Sequence, residues 1–160
     1  GIDSNGDFYV SGGTTYVTGP TDGGNGALDY NGDASISGGT FVAVGASQMA
    51  ENFKDTSTQG VIMKNVDSVP AGSQITLSDN SGNLLISWKP EKEYASVIIS
   101  CPDIKQGETY VLDIDQESFT ITMDSLVYGS GGFNGKDGTK GPMDQGGEKP
   151  VGPGRKMKTD

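Results

Sequence analysis

The chain has 160 residues, enough for one domain of ordinary size or two small ones. Hydrophobic residues make up only 32%, and 26 glycines lie well above the usual ~7%, which excludes a helical bundle and suits short strands with tight turns. A net charge of −10 excludes nucleic acid and anionic lipid as partners but attracts divalent cations, and the absence of histidine removes the commonest general base and transition-metal ligand.

The first 45 residues contain a repeat. Ile2-Asp3-Ser4-Asn5-Gly6-Asp7 returns 26 residues later as Leu28-Asp29-Tyr30-Asn31-Gly32-Asp33, and the pattern of Phe8 to Thr14 returns in Ala34 to Thr40. A period in the twenties predicts a solenoid, each repeat one coil stacked on the next. Alternation along the strands predicts Phe8, Val10, Ala34, Ile36, Phe41 and Ala43 inward, with Tyr9, Tyr16 and Val42 outward. Ile2 and Leu28 fall in register as a further inward ladder. Gly12-Gly13 and Gly38-Gly39 supply corners, and Gly19 to Gly26 reads as a loop leaving the wall. The chain opens inside a repeat unit, which predicts upstream coils and a signal peptide ahead of Gly1.

Stacked coils cannot leave a bare last edge, so a cap is required. Residues 46–128 are expected to supply it. Ala46 to Phe53 is read as a short helix or turn. Strand-like runs follow at Val61 to Val66, Gln74 to Ser78, Leu84 to Trp88, Ser96 to Ser100, Tyr110 to Ile114 and Phe119 to Met123. Asp79-Asn80-Ser81-Gly82 marks a hairpin, and the spacing predicts a small antiparallel sheet or sandwich. Cys101 is read as a small buried hydrophobe and Trp88 as cap core or cap surface. Residues 129–160 hold ten Gly and three Pro, and are expected to form a flexible tail carrying +2, six Lys/Arg against four Asp/Glu. No apolar run approaches the ~18 residues of a membrane span, so no transmembrane segment is expected.

The repeated phrase sets Asp3, Asn5 and Asp7, and again Asp29, Asn31 and Asp33, at alternate positions. Ca²⁺ takes about six to eight oxygens from such groups, and stacking would place like carboxylates about 4.8 Å apart. Asn-Gly is equally a favoured tight-turn dipeptide whose aspartates accept backbone hydrogen bonds, and both readings stand. Tyr9, Tyr16 and Tyr30 are candidates for packing against sugar rings. No catalytic triad, P-loop or dinucleotide motif is present, and solvent-facing turn aspartates lack the apolar setting that makes a general acid. The chain is therefore read as a non-enzyme.

The phrases Gly1 to Asp7, Tyr9 to Gly13, Gly19-Pro20 and Gly24 to Tyr30 resemble one group of bacterial proteins. These are carbohydrate-binding-domain-containing surface proteins with a right-handed parallel β-helix, known for binding polygalacturonate and cellulose. The likeness continues through Ser37 to Thr40, Met49-Ala50, Ser57 to Gln59, Asp79 to Gly82 and Gly107 to Tyr110, covering roughly residues 1–114. It implies the final coils and cap of a longer member, extracellular or cell-surface placement, bound Ca²⁺ and acid-sugar binding without turnover. It also implies kinship in shape with pectate lyases. The six Asp and Asn positions of the repeat are the candidates for its acidic calcium-type positions. The fold class expected is all-β: terminal coils (1–45) capped by an antiparallel β domain (46–128). The alternatives are a pectate-lyase-like enzyme, which would need a Lys or Arg base that residues 1–53 lack, and a structural adhesin repeat binding no sugar.

Overall fold

The computed structural model describes residues 1–129, so the segment read as a tail lies outside the described residues except for Gly129. Those residues form thirteen strands and, among them, no helix. In chain order these are β1 Ile2–Ser4, β2 Phe8–Val10, β3 Thr14–Thr18, β4 Leu28–Tyr30, β5 Ala34–Ile36 and β6 Thr40–Gly45. There follow β7 Val61–Val69, β8 Ile75–Asp79, β9 Leu84–Trp88, β10 Tyr94–Ser100, β11 Thr109–Ile114, β12 Glu117–Thr122 and β13 Val127–Tyr128. They make several open sheets.

Three parallel pairs stack residues 28–45 on residues 1–18. Ile2 lies opposite Leu28 in β1–β4, Phe8 opposite Ala34 and Val10 opposite Ile36 in β2–β5, and Thr15 opposite Phe41 in β3–β6. Every pair keeps the 26-residue offset of the repeat, so the alternation of two sends the same ladder inward in both turns. Leu28, Ala34, Ile36, Phe41 and Ala43 are buried in one core, with Ile2, Phe8, Val10 and Val17 packed against it.

β6 is also the hinge of a larger assembly. A five-stranded sheet runs β13-β7-β10-β6-β3, and a four-stranded antiparallel sheet runs β12-β11-β8-β9. The apolar runs Phe41-Val42-Ala43-Val44, Val61-Ile62-Met63 and Val97-Ile98-Ile99 have no polar alternate because both faces of the five-stranded sheet are covered. Phe41, Ala43, Val61, Met63 and Ile98 face the interior of the turns. Val42, Val44, Ile62, Val97 and Ile99 face a second core shared with Ile75, Leu77, Tyr110 and Leu112 of the other sheet. This corrects the expectation for Val42. It does point away from the turn interior, but the four-stranded sheet lies over it and its exposure is 0%.

All six expected runs in 61–123 are strands, and the hairpin forms between β8 and β9, where Asp79 accepts from Ser81 N and Asn83 N at 2.9 Å each. Residues 46–53 hold a turn and no helix. Cys101 is buried, and burial pushes its thiol pKa up.

Candidate functional site

The outer surface of the two turns carries the candidate residues, and it has three sides. Asp3 and Asp29 lie on β1 and β4, Tyr9 on β2, and Tyr16 on β3. Asp3 and Asp29 are register partners, both exposed, as alternation dictates between inward Ile2 and Ser4 and inward Leu28 and Tyr30.

The second aspartate of the phrase behaves differently. Asp7 Oδ1 accepts the Asp33 backbone N–H at 2.8 Å, and its Oδ2 accepts the Tyr9 hydroxyl at 3.0 Å. Those two bonds, the backbone one first, hold the Asp7 carboxyl below the usual carboxylate range. The same carboxylate raises the Tyr9 phenol pKa. Asp33 Oδ1 in turn accepts from Thr56 Oγ1 at 2.8 Å. Asp7 therefore takes its backbone hydrogen bond from the next turn rather than from within its own, and Gly32 leaves it room, since a Cβ there would collide with the Asp7 carboxylate. Asn5 and Asn31 are exposed in the same corners.

The six repeat residues divide by what their side chains already bond. Among the described residues no three Asp, Glu or Cys side chains gather as a metal-holding group. The Asp7 oxygens and one Asp33 oxygen are already engaged, whereas Asp3 and Asp29 have no hydrogen-bond partner among the described residues. That pair could hold a cation from one side and leave most of its coordination open.

The three tyrosines do not share a plane. Tyr9 is 61% exposed, and Tyr16 is 46% exposed with its ring tilted against Trp88 at 5.1 Å between centroids. Tyr30 turns toward the interior of its turn, where its hydroxyl donates to Asn52 O and Lys54 Nζ lies 5.4 Å from the ring centre. Burial, ahead of Glu51 and Asp33, pushes its phenol up to about 12.

The sequence reading expects Ala46 to Phe53 to close the turns, but not that the closure runs on to residue 59. Residues 50–59 are irregular, yet they answer the free edge of β4 and β5 group by group. Tyr30 N donates to Glu51 Oε2 (3.1 Å) and Ile36 N to Ser57 Oγ (3.1 Å). Lys54 N donates to Ala34 O (2.8 Å), Thr58 N to Ile36 O (3.0 Å), and Lys54 Nζ to Gly32 O (2.6 Å). Phe53 fills the interior beneath, stacked on Phe8 at 5.8 Å and edge-on to Phe41 at 5.2 Å. Gln59 Nε2 ties the corner at Gly39 O (2.9 Å) to Ser100 Oγ (2.8 Å). No period announces such a segment; the signal available was its density of Asn, Glu, Thr, Ser and Gln in a stretch that must satisfy strand edges.

Compared with protein-family models, curated proteins and solved structures, the chain matches none.

Proposed function

We propose that this chain is a non-catalytic, extracellular or cell-surface polysaccharide-binding module in which two turns of a right-handed parallel β-helix end against antiparallel β-sheets. The single observation that carries the reading is the Asp3–Asp29 pair: two exposed carboxylates in parallel register, without hydrogen-bond partners among the described residues. Like charges at one strand spacing repel, and a cation beside them relieves that repulsion. Ca²⁺ held there by Asp3 and Asp29 would supply positive charge to the carboxylates of an acidic plant cell-wall glycan such as polygalacturonate. The chain itself, at −10, would otherwise repel that polymer.

Cellulose is the weaker partner. A crystalline surface asks for coplanar rings, and Tyr9, Tyr16 and Tyr30 occupy different sides of the turns. A pectate-lyase-like activity gains little from Lys54, whose ammonium donates to Gly32 O and lies against the Tyr30 ring. The structural-repeat reading has a specific observation in its favour, since Asp7 works as an inter-turn fastener.

Binding of the protein to immobilised polygalacturonate, with Ca²⁺ and with EDTA, separates these readings. The expected result is binding that EDTA removes, that Asp3→Asn/Asp29→Asn weakens, and that methyl-esterified pectin does not match. Equal binding to free and esterified polymer in EDTA would overturn the cation bridge. Unsaturated product absorbing in the ultraviolet would move the protein to the lyases. Absence of any binding would leave the structural repeat.

A further inference from the structure

The repeated phrase presents one reactive dipeptide in two settings. Asp3-Ser4-Asn5-Gly6-Asp7 and Asp29-Tyr30-Asn31-Gly32-Asp33 each put asparagine before glycine, with an aspartate two residues to either side of the asparagine. Asparagine before glycine is prone to ring closure between its side-chain amide and the next backbone nitrogen, because glycine has no Cβ to shield that nitrogen. The local chemistry of the two copies is nearly the same. What differs is how the attacking nitrogen is held.

In the second copy, Gly32 N donates to Gly6 O at 3.0 Å across the turns, and Asp7 and Gly6 leave no room for a Cβ on Gly32. The nitrogen cannot reach the Asn31 side chain without breaking that bond and lifting the corner. In the first copy, Gly6 N donates to Ser4 Oγ at a long 3.4 Å and to no other described residue, and Ser4 Oγ itself donates to Asp7 O. Asn5, Gly6 and Asp7 are exposed, and nothing lies within 4 Å of the place a Gly6 Cβ would take. A third pair, Asn25-Gly26, is closed in another way: Gly26 is buried, and a Cβ there would collide with Met49 O. Asn134-Gly135 lies outside the described residues.

We infer that Asn5 is a spontaneous modification site of the folded chain, and that its twin Asn31 is protected by the stacking of the turns. The Gly6 N–H gives its proton to hydroxide, and the nitrogen attacks Asn5 Cγ. A bond forms between that carbon and the glycine nitrogen. The bond to the side-chain nitrogen breaks, and this nitrogen leaves as ammonia after taking a proton from water. Water then opens the resulting succinimide. Cleavage at the former side-chain carbonyl gives aspartate, and cleavage at the main-chain carbonyl gives isoaspartate, in which the chain runs through the side-chain carbon. Nothing is oxidised or reduced.

The product bears on the fold. Ser4 O and Gly6 O stand on either side of Asn5 and accept Asn31 N (3.1 Å) and Gly32 N (3.0 Å). Isoaspartate puts an additional carbon into the backbone between these carbonyls, so they can no longer meet both amides at once. Either product also adds a carboxylate to a phrase that already carries Asp3 and Asp7. The inference rests on the stacked turns and is independent of sugar or calcium binding.

The full chain is aged in mildly alkaline buffer at physiological temperature, then digested and mapped by mass spectrometry, with isoaspartate told from aspartate by electron-transfer fragmentation. Asn5 should convert about fivefold faster than Asn31 or more, because the Gly32 amide must first be freed from its bond. In guanidinium chloride the two should convert at similar rates. Gly6→Ala, which meets nothing and needs no positive φ, should keep the thermal midpoint and suppress the conversion. The purified isoaspartate form should exchange its Asn31 and Gly32 amides faster than fresh protein does. Equal rates at Asn5 and Asn31 in the folded chain would overturn the inference, as would an intact Asn5 beside a modified Asn25. A rate ratio that persists in guanidinium chloride would mean that the turns protect nothing. Unchanged exchange at Asn31 and Gly32 would refute the effect on the fold.

Discussion

Asp7 Oδ1 accepts the backbone N–H of Asp33, its own counterpart one repeat later, at 2.8 Å. A residue written into the sequence as a repeat thus becomes the tie between the repeats. Its carboxyl is held below the ordinary value of 3.8, so the ionised form is favoured by folding. The unfolded chain therefore binds the proton first as pH falls. The stabilisation is complete above the unfolded pKa and is lost as pH drops through the lower folded value. Between about pH 5 and pH 2 the thermal midpoint of the native chain should fall more steeply than that of Asp7→Asn, which keeps an acceptor but carries no charge. Parallel curves would remove the charged tie from the account.

Phe53→Ala should be the most damaging single change in the first 60 residues. The side chain is 2% exposed and touches both Phe8 and Phe41, one from each turn. Truncating such a phenylalanine costs about 3–5 kcal/mol. Chemical denaturation should show the loss with an unchanged m-value, whereas a loss below about 1 kcal/mol would mean that the site collapses around the smaller residue.

Gly39 and Gly72 allow crowding and backbone strain to be separated. Both have positive φ, 85° and 81°, but only Gly39 has backbone within reach of a Cβ. Gly72→Ala should cost about 1–2 kcal/mol, the left-handed penalty alone. Gly39→Ala should cost distinctly more, and equal losses in denaturant titrations would show that the first turn moves aside.

Tyr16 and Trp88 join the edges of the two large sheets across 5.1 Å. A double-mutant cycle with Tyr16→Ala and Trp88→Ala should return a coupling of about 0.5–1.5 kcal/mol, the range for aromatic pairs beyond their buried area. Additive losses would make the contact incidental. If polysaccharide binding in EDTA also falls with either change, the pair takes part in sugar stacking.

The stacking of the turns was legible because it is written twice: a constant offset fixes register, and register fixes which side chains face inward. The runs 61–66, 74–78, 84–88, 96–100, 110–114 and 119–123 were legible from β-branched and apolar content between turn residues. The sharing of β6 was not. Phe41-Val42-Ala43-Val44 carries no mark that its second face meets Ile75, Leu77 and Leu112 of the four-stranded sheet rather than water, beyond the absence of a polar alternate. Closure by Ala46 to Phe53 was legible, but its extension was hidden, since Ser57 and Thr58 match the edge of β5 through a conformation without a period. For the site, the sequence placed Asp3 beside Asp29 but could not distinguish them from Asp7 and Asp33. That difference depends on which carboxylate leans across to the next turn.

The five-stranded sheet also sets an order of events during synthesis. Thr40–Gly45 leaves the ribosome early, whereas its antiparallel partner, Tyr94–Ser100, is made only about 3–10 s later at ordinary elongation rates. Throughout that interval the Val42 and Val44 face of the strand and one of its edges wait for residues that do not yet exist, while Phe41 and Ala43 can already meet Leu28, Ala34 and Ile36. A nascent chain stalled near residue 90 should therefore bind holdase chaperones through Phe41 to Val44, and release them once Val97 to Ile99 has emerged.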